Sequence, residues 1–308
     1  MLVTGGTGFL GAHLVRRLLT EGFRVHLLCR SQSDFWRIND VLPLCERHLG
    51  TLEDATRLRE IVTATVPEFV YHLASATVVA GSSAATERLV MANLAGTVNL
   101  IDACETVDYR GLVLAGDSFE YAASQAPLNE SDCARPGNLH GITKLGATLY
   151  AQAAAAARSK AIITLRLFST YGPLDNPKRL IPRVIAGALA GTPLTLSRPD
   201  IVRDWVYVDD VVSLFIEAGH QAGRLRGQIF NAGSGVATDL GAIVATILRL
   251  TGSKAKPEWG VFPAPEHDQY PWVADPRRTF ATFSWRPETD LEAGLNATID
   301  AYRGVSQH

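Results

Sequence analysis

The sequence predicts an α/β protein in which parallel strands alternate with helices. Three observations carry this prediction: short apolar runs recur along the first half of the chain, longer segments typical of helices lie between them, and the first run leads into a glycine-rich turn. Strands and helices of these lengths, in alternation, form parallel βαβ units. The fold expected is therefore a Rossmann-type doubly wound parallel sheet, together with a smaller C-terminal lobe.

The elements support this fold one after another. The chain opens with a short apolar strand, a glycine-rich turn and a helix that ends at Gly22, and "RVHLLCR" is the second buried strand. There follow the strand "EFVYHLA", the helix "RLVMANLAGTVNLIDACE", the strand "GLVLAG", the helix "KLGATLYAQAAAAARS" and the strand "AIITLRL". The alanine run at 153–157 favours the last of these helices, because alanine has the highest helix propensity.

Composition excludes several classes of function. The 308 residues carry a net charge of −2, which gives no electrostatic basis for binding nucleic acid or an anionic membrane. No apolar run reaches the roughly 18 residues of a membrane span, and no signal peptide precedes the first strand. The four cysteines are scattered and no histidine cluster has ligand spacing, so neither a disulfide framework nor a metal site is expected. The sequence favours a cytoplasmic protein.

Gly5, Gly8 and Gly11 form the pattern G-x-x-G-x-x-G between the first strand and the first helix. Glycines let the backbone turn tightly and approach a pyrophosphate, whose charge then lies at the positive N-terminus of the helix. The pattern alone is weak, but a strand before it and a helix after it are the context that a dinucleotide requires. We expect these glycines to bind a dinucleotide cofactor.

The end of the second strand indicates which nicotinamide cofactor binds. An acidic residue there would accept hydrogen bonds from a ribose 2′-hydroxyl, but this chain has Cys29, Arg30 and Ser31. An arginine beside a hydroxyl suits a 2′-phosphate, which favours NADP over NAD. If Arg30 is instead an ordinary solvated charge that stacks on the adenine, the preference stays open.

The composition of the sequence changes after about residue 170, where Pro, Gly and Trp become more frequent, and the predicted elements become shorter. We predict a dinucleotide-binding domain at 1–168 and a mainly substrate-binding lobe at 169–308. Some segments of the second part are expected to return to the first.

The order of the motifs resembles the extended short-chain dehydrogenase/reductase superfamily, and within it the NAD(P)-dependent epimerase/dehydratase family that acts on nucleotide sugars. Besides the glycine turn, five stretches carry the resemblance: "YHLAS" at 71–75, "NLAGTVNLIDAC" at 93–104, "LRLFSTYGP" at 165–173, "RDWVYVDDVV" at 203–212 and "FNAGSG" at 230–235. The resemblance implies hydride exchange between a nicotinamide cofactor and a ring carbon of a nucleotide-activated hexose, usually C4.

The resemblance also implies roles for individual residues. The cofactor would contact Gly5, Gly8, Phe9, Leu10, Gly11, Arg30, Ser31, Leu73, Ala74 and Lys144. The substrate site would contain Ser169, Arg203 and Asn93, with Arg203 on the phosphates and Asn93 supporting the active-site helix. Asp210 would help to fix the segment that carries Arg203. From the residues alone, Arg203 could instead form a surface ion pair with Asp204 or Asp210.

The chain departs from the family at the catalytic position. The family pattern is Tyr-x-x-x-Lys, and here His140 stands in place of the tyrosine while Lys144 is kept. The hydroxyl residue that the family has before a Tyr-Gly turn corresponds to Asp117, with Ser118 one residue on. All four are predicted catalytic residues.

A histidine can supply or accept the proton that moves on oxygen when a secondary alcohol exchanges a hydride. Lys144 and an oxidised nicotinamide disfavour imidazolium, so His140 is expected to be a neutral base, whereas a nearby Asp117 would make a His-Asp pair. Two alternatives stay open. In the first, another group transfers the proton, for instance Ser118, Asp117, Tyr121 or a water. In the second, the chain is a catalytically impaired module that binds nucleotide sugar and NAD(P).

The favoured activity is reduction of a nucleotide-linked 4-keto sugar with dissociable NADP. Tightly bound NAD would instead favour epimerisation or dehydration, which return the hydride to the sugar. The family commonly forms dimers through two helices per subunit, and the predicted helices at 89–105 and 141–158 are the candidates for a homodimer.

Overall fold

The computed structural model describes residues 1–76, 83–263 and 266–305. Its strands are β1 Leu2–Thr4, β2 His26–Cys29, β3 Glu46–Leu49, β4 Phe69–His72, β5 Gly111–Asp117, β6 Ile162–Leu167, β7 Ser169–Tyr171, β8 Leu194–Thr195, β9 Val202–Tyr207, β10 Ile229–Ala232, β11 Ala237–Asp239 and β12 Pro257–Glu258. Its α-helices are α1 Phe9–Thr20, α2 Ala55–Thr65, α3 Ser83–Leu89, α4 Gly96–Ala103, α5 Leu139–Arg158, α6 Leu180–Ala190, α7 Val208–Gln221, α8 Leu240–Thr251, α9 Arg277–Thr282 and α10 Leu291–Val305. Within these ranges, no helix has the length and apolar character needed to span a membrane.

Seven parallel strands form the central sheet, in the order β10-β6-β5-β4-β1-β2-β3. β1 pairs with β2 on one side and with β4 on the other, so Leu2 stands opposite both His26 and Val70. The chain therefore changes direction across the sheet at β1, and ligands of open α/β sheets bind outside the carboxyl ends of the strands at such a switch point. The prediction of a Rossmann-type doubly wound sheet is confirmed.

Helices cover both faces of this sheet because successive strand residues point to opposite faces and both sets are apolar. On one face, Val3 and Val113 belong to a cluster that includes Phe215 of α7 and the buried side of α1. On the other face, Leu2 and Leu112 belong to a cluster with the buried sides of α2, α4 and α5. The strand ends, and not the strand faces, are thus left for a ligand.

The second half of the chain contributes to two structures. β7, β9 and β11 form a small three-stranded sheet, and α6, α8 and α10 enclose a separate apolar cluster that includes Ile185, Ile243 and Leu295. β10 and α7 return to the central sheet, where β10 pairs with β6 and α7 packs against β4 and β5. The domain boundary at residue 168 stays a prediction.

The helix predicted at 89–105 is interrupted. α3 and α4 are joined by a π-helical segment, Val90–Ala95, that contains Asn93. A π segment holds an extra residue per turn, and such bulges occur often at functional sites. Periodicity could not predict the interruption, because the apolar pattern continues through it.

Candidate active site

The glycine turn lies at the carboxyl end of β1, directly before α1. Gly5 has a φ of +73°, in the left-handed region, and a Cβ on it would lie 2.5 Å from the backbone nitrogen of Ala74. A Cβ on Gly11 would lie 2.1 Å from the carbonyl oxygen of Gly5. Both separations are shorter than real Cβ contacts, so only glycine lets the turn close against the chain after β4 and against α1.

A cleft of about 420 Å³ opens beside this turn, at the carboxyl ends of the strands around the switch point. Of the predicted cofactor-binding residues, it is lined by Gly5, Gly8, Arg30, Leu73 and Ala74. They come from the ends of β1, β2 and β4, which are adjacent in the sheet. The cleft thus joins motifs that lie far apart in the sequence.

The start of α1 can hold an anion. Gly8 caps the helix without any side-chain hydrogen bond. The N–H groups of Phe9, Leu10 and Gly11 have no acceptor within the helix, because the first turn of a helix lacks carbonyl partners. The side chains of Phe9 and Leu10 are partly buried and pack against the apolar cluster of the second half, so the polar groups they offer to a cofactor are those of their backbone. Free donors at the positive end of a helix dipole fit the pyrophosphate of a dinucleotide.

The hydroxyl beside Arg30 in the cleft is not the predicted one. Ser31 donates a hydrogen bond to Gln32 and lies outside the cleft lining, whereas Ser33 lines the cleft and accepts a hydrogen bond from the Arg30 backbone at 3.0 Å. The turn after β2 thus places the hydroxyl of Ser33, and not that of Ser31, next to the cleft. Thr7 also lines it, and its position inside the glycine pattern was a signal that could have found it.

His140 lies in the first turn of α5, and Asp117 ends β5. Nε2 of His140 is 3.2 Å from Oδ2 of Asp117, and their side chains are 20% and 24% exposed. Nδ1 of His140 is buried and has no hydrogen-bond partner within the described part of the chain. In the tautomer whose Nε2–H donates to Asp117, the imidazole lone pair is on Nδ1, which is the arrangement of a general base. The contact is the His-Asp pair that the sequence left open.

Asp117 is held in place by its own neighbours. Its Oδ1 accepts a hydrogen bond from the Phe119 backbone at 2.8 Å, and its N–H donates to Oε1 of Glu120 at 2.9 Å. Glu120 is fully buried and forms an ion pair with Arg166 at 2.8 Å. Since Oδ1 is used by the turn, Oδ2 is the oxygen that faces His140.

Lys144 is buried one helical turn after His140. Its Nζ donates to the carbonyl oxygen of Ala115 at 2.8 Å, which ties α5 to the strand that carries Asp117. Burial lowers the pKa of the Lys144 ammonium, while the nearby Asp117 and Glu120 carboxylates raise it. A contact between Lys144 and a cofactor stays a prediction.

Ser118 and Tyr121 follow Asp117 in the chain, and both are buried. The Tyr121 hydroxyl donates to Oδ1 of Asn231 at 2.7 Å, and burial raises the pKa of the phenol. A buried phenol that is already bonded and hard to ionise is a poor proton-transfer group. The geometry does not favour the alternative in which Tyr121 replaces His140.

Asn93 is 2% exposed, and both ends of its amide are occupied. The oxygen accepts from the Ala76 backbone at 2.7 Å, and the nitrogen donates to the Ala76 carbonyl at 3.0 Å and to Oγ1 of Thr143 at 3.1 Å. Asn93 thus ties the chain after β4 to α5. This corrects its grouping with the substrate-binding residues, because a fully bonded, buried amide has no donor or acceptor left for a substrate.

Arg203 on β9 forms an ion pair with Asp268, and both side chains are 13% exposed. The backbones of Trp272 and Arg203 form an isolated β-bridge. The Trp272 ring packs edge-on against that of Phe119, with ring centroids 4.6 Å apart. The small sheet therefore adjoins the turn that follows Asp117. Ser169 begins β7 in the same sheet.

The two aspartates considered as partners of Arg203 have other roles. Asp204 is fully buried and accepts hydrogen bonds from the backbones of Gly235 at 2.9 Å and Ala274 at 3.1 Å. Asp210 accepts from the backbone of residues 288–289 at 3.1 Å. The alternative prediction, a surface ion pair of Arg203 with Asp204 or Asp210, is therefore wrong. The sequence analysis also missed that Asp204 anchors the backbone at Gly235 and Ala274.

Comparison with known proteins agrees with this architecture. A family model described as the NAD dependent epimerase/dehydratase family matches residues 1–233. The low-salt glycan biosynthesis protein Agl12 of Haloferax volcanii is 29% identical over 99% of this chain and 98% of its own. The UDP-glucose 4-epimerase of Thermotoga maritima, solved with UDP-glucose, superposes with a TM-score of 0.89 at 25% identity over 99% of both chains. The UDP-glucose 4-epimerase of Thermus thermophilus, solved with NAD, gives 0.86 at 25% identity over 98% of both.

Proposed function

The chain belongs to the NAD dependent epimerase/dehydratase family, and from this premise we propose that it is an NAD-dependent epimerase of nucleotide-activated hexoses. The observation that carries the proposal is the pair formed by His140 and Asp117. Epimerisation requires one group that removes a proton from a sugar hydroxyl and later returns it, which a single histidine can do. Dehydration requires a further acid and base to expel a hydroxyl from the neighbouring carbon, so the pair supports epimerisation better.

The residues that would hold the cofactor are those of the turn and the cleft. The N–H groups at the start of α1 would bind the pyrophosphate, and the glycines let it come close to the backbone. A bound nicotinamide would supply hydride transfer from and back to the sugar carbon. NAD is favoured over NADP because the epimerase of Thermus thermophilus was solved with NAD.

His140 would take the proton of the reacting hydroxyl on its imidazole, which is 20% exposed. Asp117 accepts the hydrogen bond from Nε2, which fixes the tautomer and stabilises the imidazolium that forms. When the keto sugar is reduced from its opposite face, the same imidazolium returns the proton to oxygen. The chain then recovers its starting state, with no net proton taken up.

Arg203 would bind the substrate diphosphate, since a guanidinium is always charged and can donate two hydrogen bonds in parallel. Asp268 forms an ion pair with this guanidinium. A diphosphate would have to replace or share that carboxylate, so the affinity for substrate depends on how easily the ion pair opens.

We also propose a homodimer formed through the α3–α4 region and α5, which pack against each other. Five large apolar side chains on these elements are exposed: Val90 at 41%, Met91 at 40%, Leu139 at 46%, Ile142 at 51% and Leu149 at 55%. Exposed apolar residues clustered on adjacent helices are typical of an interface. A two-fold axis across this face would bury both sets at once.

A second candidate is reduction of a keto sugar with NADPH, and one observation favours it. Arg30 lines the cleft together with Ser33, which offers a cation and a hydroxyl where a ribose 2′-phosphate could bind. For this candidate, we expect Arg30→Ala to weaken NADPH binding by at least about tenfold while NADH binding changes little, because only the 2′-phosphate pairs with the guanidinium. Titration of both cofactors by fluorescence measures this, and equal losses for the two would remove the case for NADP.

One experiment separates these activities. The purified protein is incubated with NAD and, in turn, UDP-glucose, UDP-glucuronate and their 4-epimers, each deuterated at C4, and the sugars are analysed by NMR. Epimerisation predicts conversion in both directions with deuterium retained and no net consumption of cofactor. In a parallel incubation with NADPH and 4-keto nucleotide sugars, stoichiometric oxidation of NADPH would support the reductase instead. Tight cofactor binding without turnover of any sugar would support a binding module.

A further inference from the structure

Two imidazoles and a carboxylate meet at the edge of the central sheet, away from the glycine turn. β3 is the last strand of the sheet, and its first residue, Glu46, stands in register with His26, the first residue of β2. His48 lies two residues after Glu46 and so points to the same face of the sheet. The parallel register thus places all three side chains together.

Their ligand atoms have the separations of a coordination shell. Nδ1 of His26 is 3.0 Å from Nε2 of His48 and 3.5 Å from Oε2 of Glu46, and all three atoms lie within 4.8 Å of one another. Donors at about 2.0–2.2 Å from one metal ion are themselves about 3.0–3.5 Å apart at tetrahedral or octahedral angles. Small shifts of the three side chains would bring all three donor atoms within bonding distance of one metal ion.

We propose that His26, Glu46 and His48 form a binding site for a divalent first-row transition metal ion such as Zn²⁺. Two imidazoles and one carboxylate are a ligand set for these ions, whereas Mg²⁺ and Ca²⁺ require oxygen ligands. Solvent would complete the coordination at the free edge of β3. The ion would hold the edge strand to β2.

The charges around the three ligands sharpen the choice of ion. Arg24 forms an ion pair with Oε1 of Glu46, which leaves Oε2 toward His26 and orients the carboxylate. The Met1 amino group and Arg57 add positive charge near the two imidazoles. Cations nearby weaken any purely electrostatic site, so binding depends on the covalent affinity of imidazole nitrogen for the metal. This again favours transition metals over hard cations.

The two imidazoles of the proposed site lie against each other. His26 is only 7% exposed, and its imidazole faces that of His48 with ring centroids 5.2 Å apart.

Titration with Co²⁺ tests the site on tag-free, chelator-treated full-length protein. We expect one Co²⁺ per chain, with visible absorption bands that Zn²⁺ abolishes by competition. His48→Gln should weaken binding by at least about tenfold, as should Glu46→Gln, because each removes one ligand. His220→Gln is the matched control, since His220 is exposed and lies on α7, and it should bind as the wild type does.

A thermal readout makes the result independent of activity. Zn²⁺ in excess should raise the melting temperature of the wild type by about 2–4 °C and leave that of His48→Gln unchanged, while Mg²⁺ should have no effect on either. If His48→Gln fails to fold, Glu46→Gln at the exposed end of the cluster gives the same comparison. Absence of Co²⁺ binding, or equal binding by the wild type and both ligand variants, would overturn the proposal.

Discussion

At the scale of the residue, the proposed proton transfer depends on which side chain pairs with His140. The sequence alone predicted its position, because Lys144 four residues on and the surrounding motifs identify it. The sequence could not settle its partner. Asp117 lies 23 residues earlier, and only the parallel pairing of β5 and the packing of α5 bring their side chains to 3.2 Å.

Replacing His140 tests the proposed proton transfer directly. We expect His140→Phe to lower kcat by about 10²- to 10⁴-fold, the range for one positioned acid/base group, while NAD binding persists because the glycine turn is untouched. Steady-state kinetics and cofactor titration measure the two effects. Unchanged turnover would mean that another group transfers the proton.

Asp117→Asn provides the companion measurement. The amide still fills the space but no longer stabilises imidazolium, so kcat should fall and its pH dependence should move, while KM for the sugar changes little. A variant that loses cofactor binding together with activity would instead point to a structural role for Asp117 at the end of β5.

His72 gives a prediction about stability. It is buried between the hydroxyls of Thr4 and Thr97, and burial lowers its pKa to about 3. In the unfolded chain this histidine binds a proton below about pH 6.5, whereas in the folded chain it stays neutral down to about pH 3. The free energy of unfolding therefore decreases as the pH falls from about 6.5 to about 3. Above pH 6.5 the group has no such effect.

We therefore expect His72→Asn to be less stable than the wild type at pH 7 but to lose less stability on acidification. Between pH 7 and pH 5 the difference in free energy of unfolding should narrow by about 2 kcal/mol, measured by urea denaturation. His220→Gln, which changes an exposed histidine, should keep the wild-type pH dependence. Parallel curves for the wild type and His72→Asn would contradict the assignment.

At the scale of the element, local signals predicted the turn and the strands well, because they depend on backbone conformation and burial. Gly5 must be glycine for a reason that is local to the turn. The π segment and the choice of Ser33 over Ser31 depend on tertiary contacts instead. Asn93 reaches across to Ala76 and Thr143, and no periodicity within its own helix encodes those partners.

The exposed face of α5 is part of the proposed homodimer interface, and a charge placed on it tests that proposal. We expect Leu149→Glu to weaken the dimer by about 100-fold, because a charge placed on a two-fold face enters the interface twice and each burial costs at least about tenfold in affinity. Sedimentation velocity across a concentration series measures this. Leu189→Glu is the matched control, since Leu189 is an exposed leucine on α6 at 37%, outside the proposed face. A wild-type chain that is monomeric at all concentrations would refute the interface.

At the scale of the whole molecule, the chain does not run through one lobe and then the other. β10 and α7 come from the second half of the sequence and complete the central sheet, and Asp204 anchors the chain after β10 by hydrogen bonds to its backbone. Composition indicated that the sequence changes in character near residue 170. It could not predict that β10 and α7 return to the central sheet, because that depends on long-range strand pairing and packing. The cleft beside the glycine turn therefore lies on a sheet that the first 168 residues cannot complete.

We accordingly expect the fragment 1–168 not to fold. It lacks β10, the partner of β6, and it lacks α7, whose buried Val211, Val212, Leu214 and Phe215 cover one face of the sheet. Each such side chain contributes about 1.5–3 kcal/mol on burial, so four of them together match the whole net stability of a typical domain, about 5–15 kcal/mol. Circular dichroism, urea denaturation and NAD titration of the fragment beside the full chain measure the consequence. A fragment with cooperative unfolding and full-length affinity for NAD would establish residue 168 as a true domain boundary, and would mean that the returning elements stabilise the lobe and not the sheet.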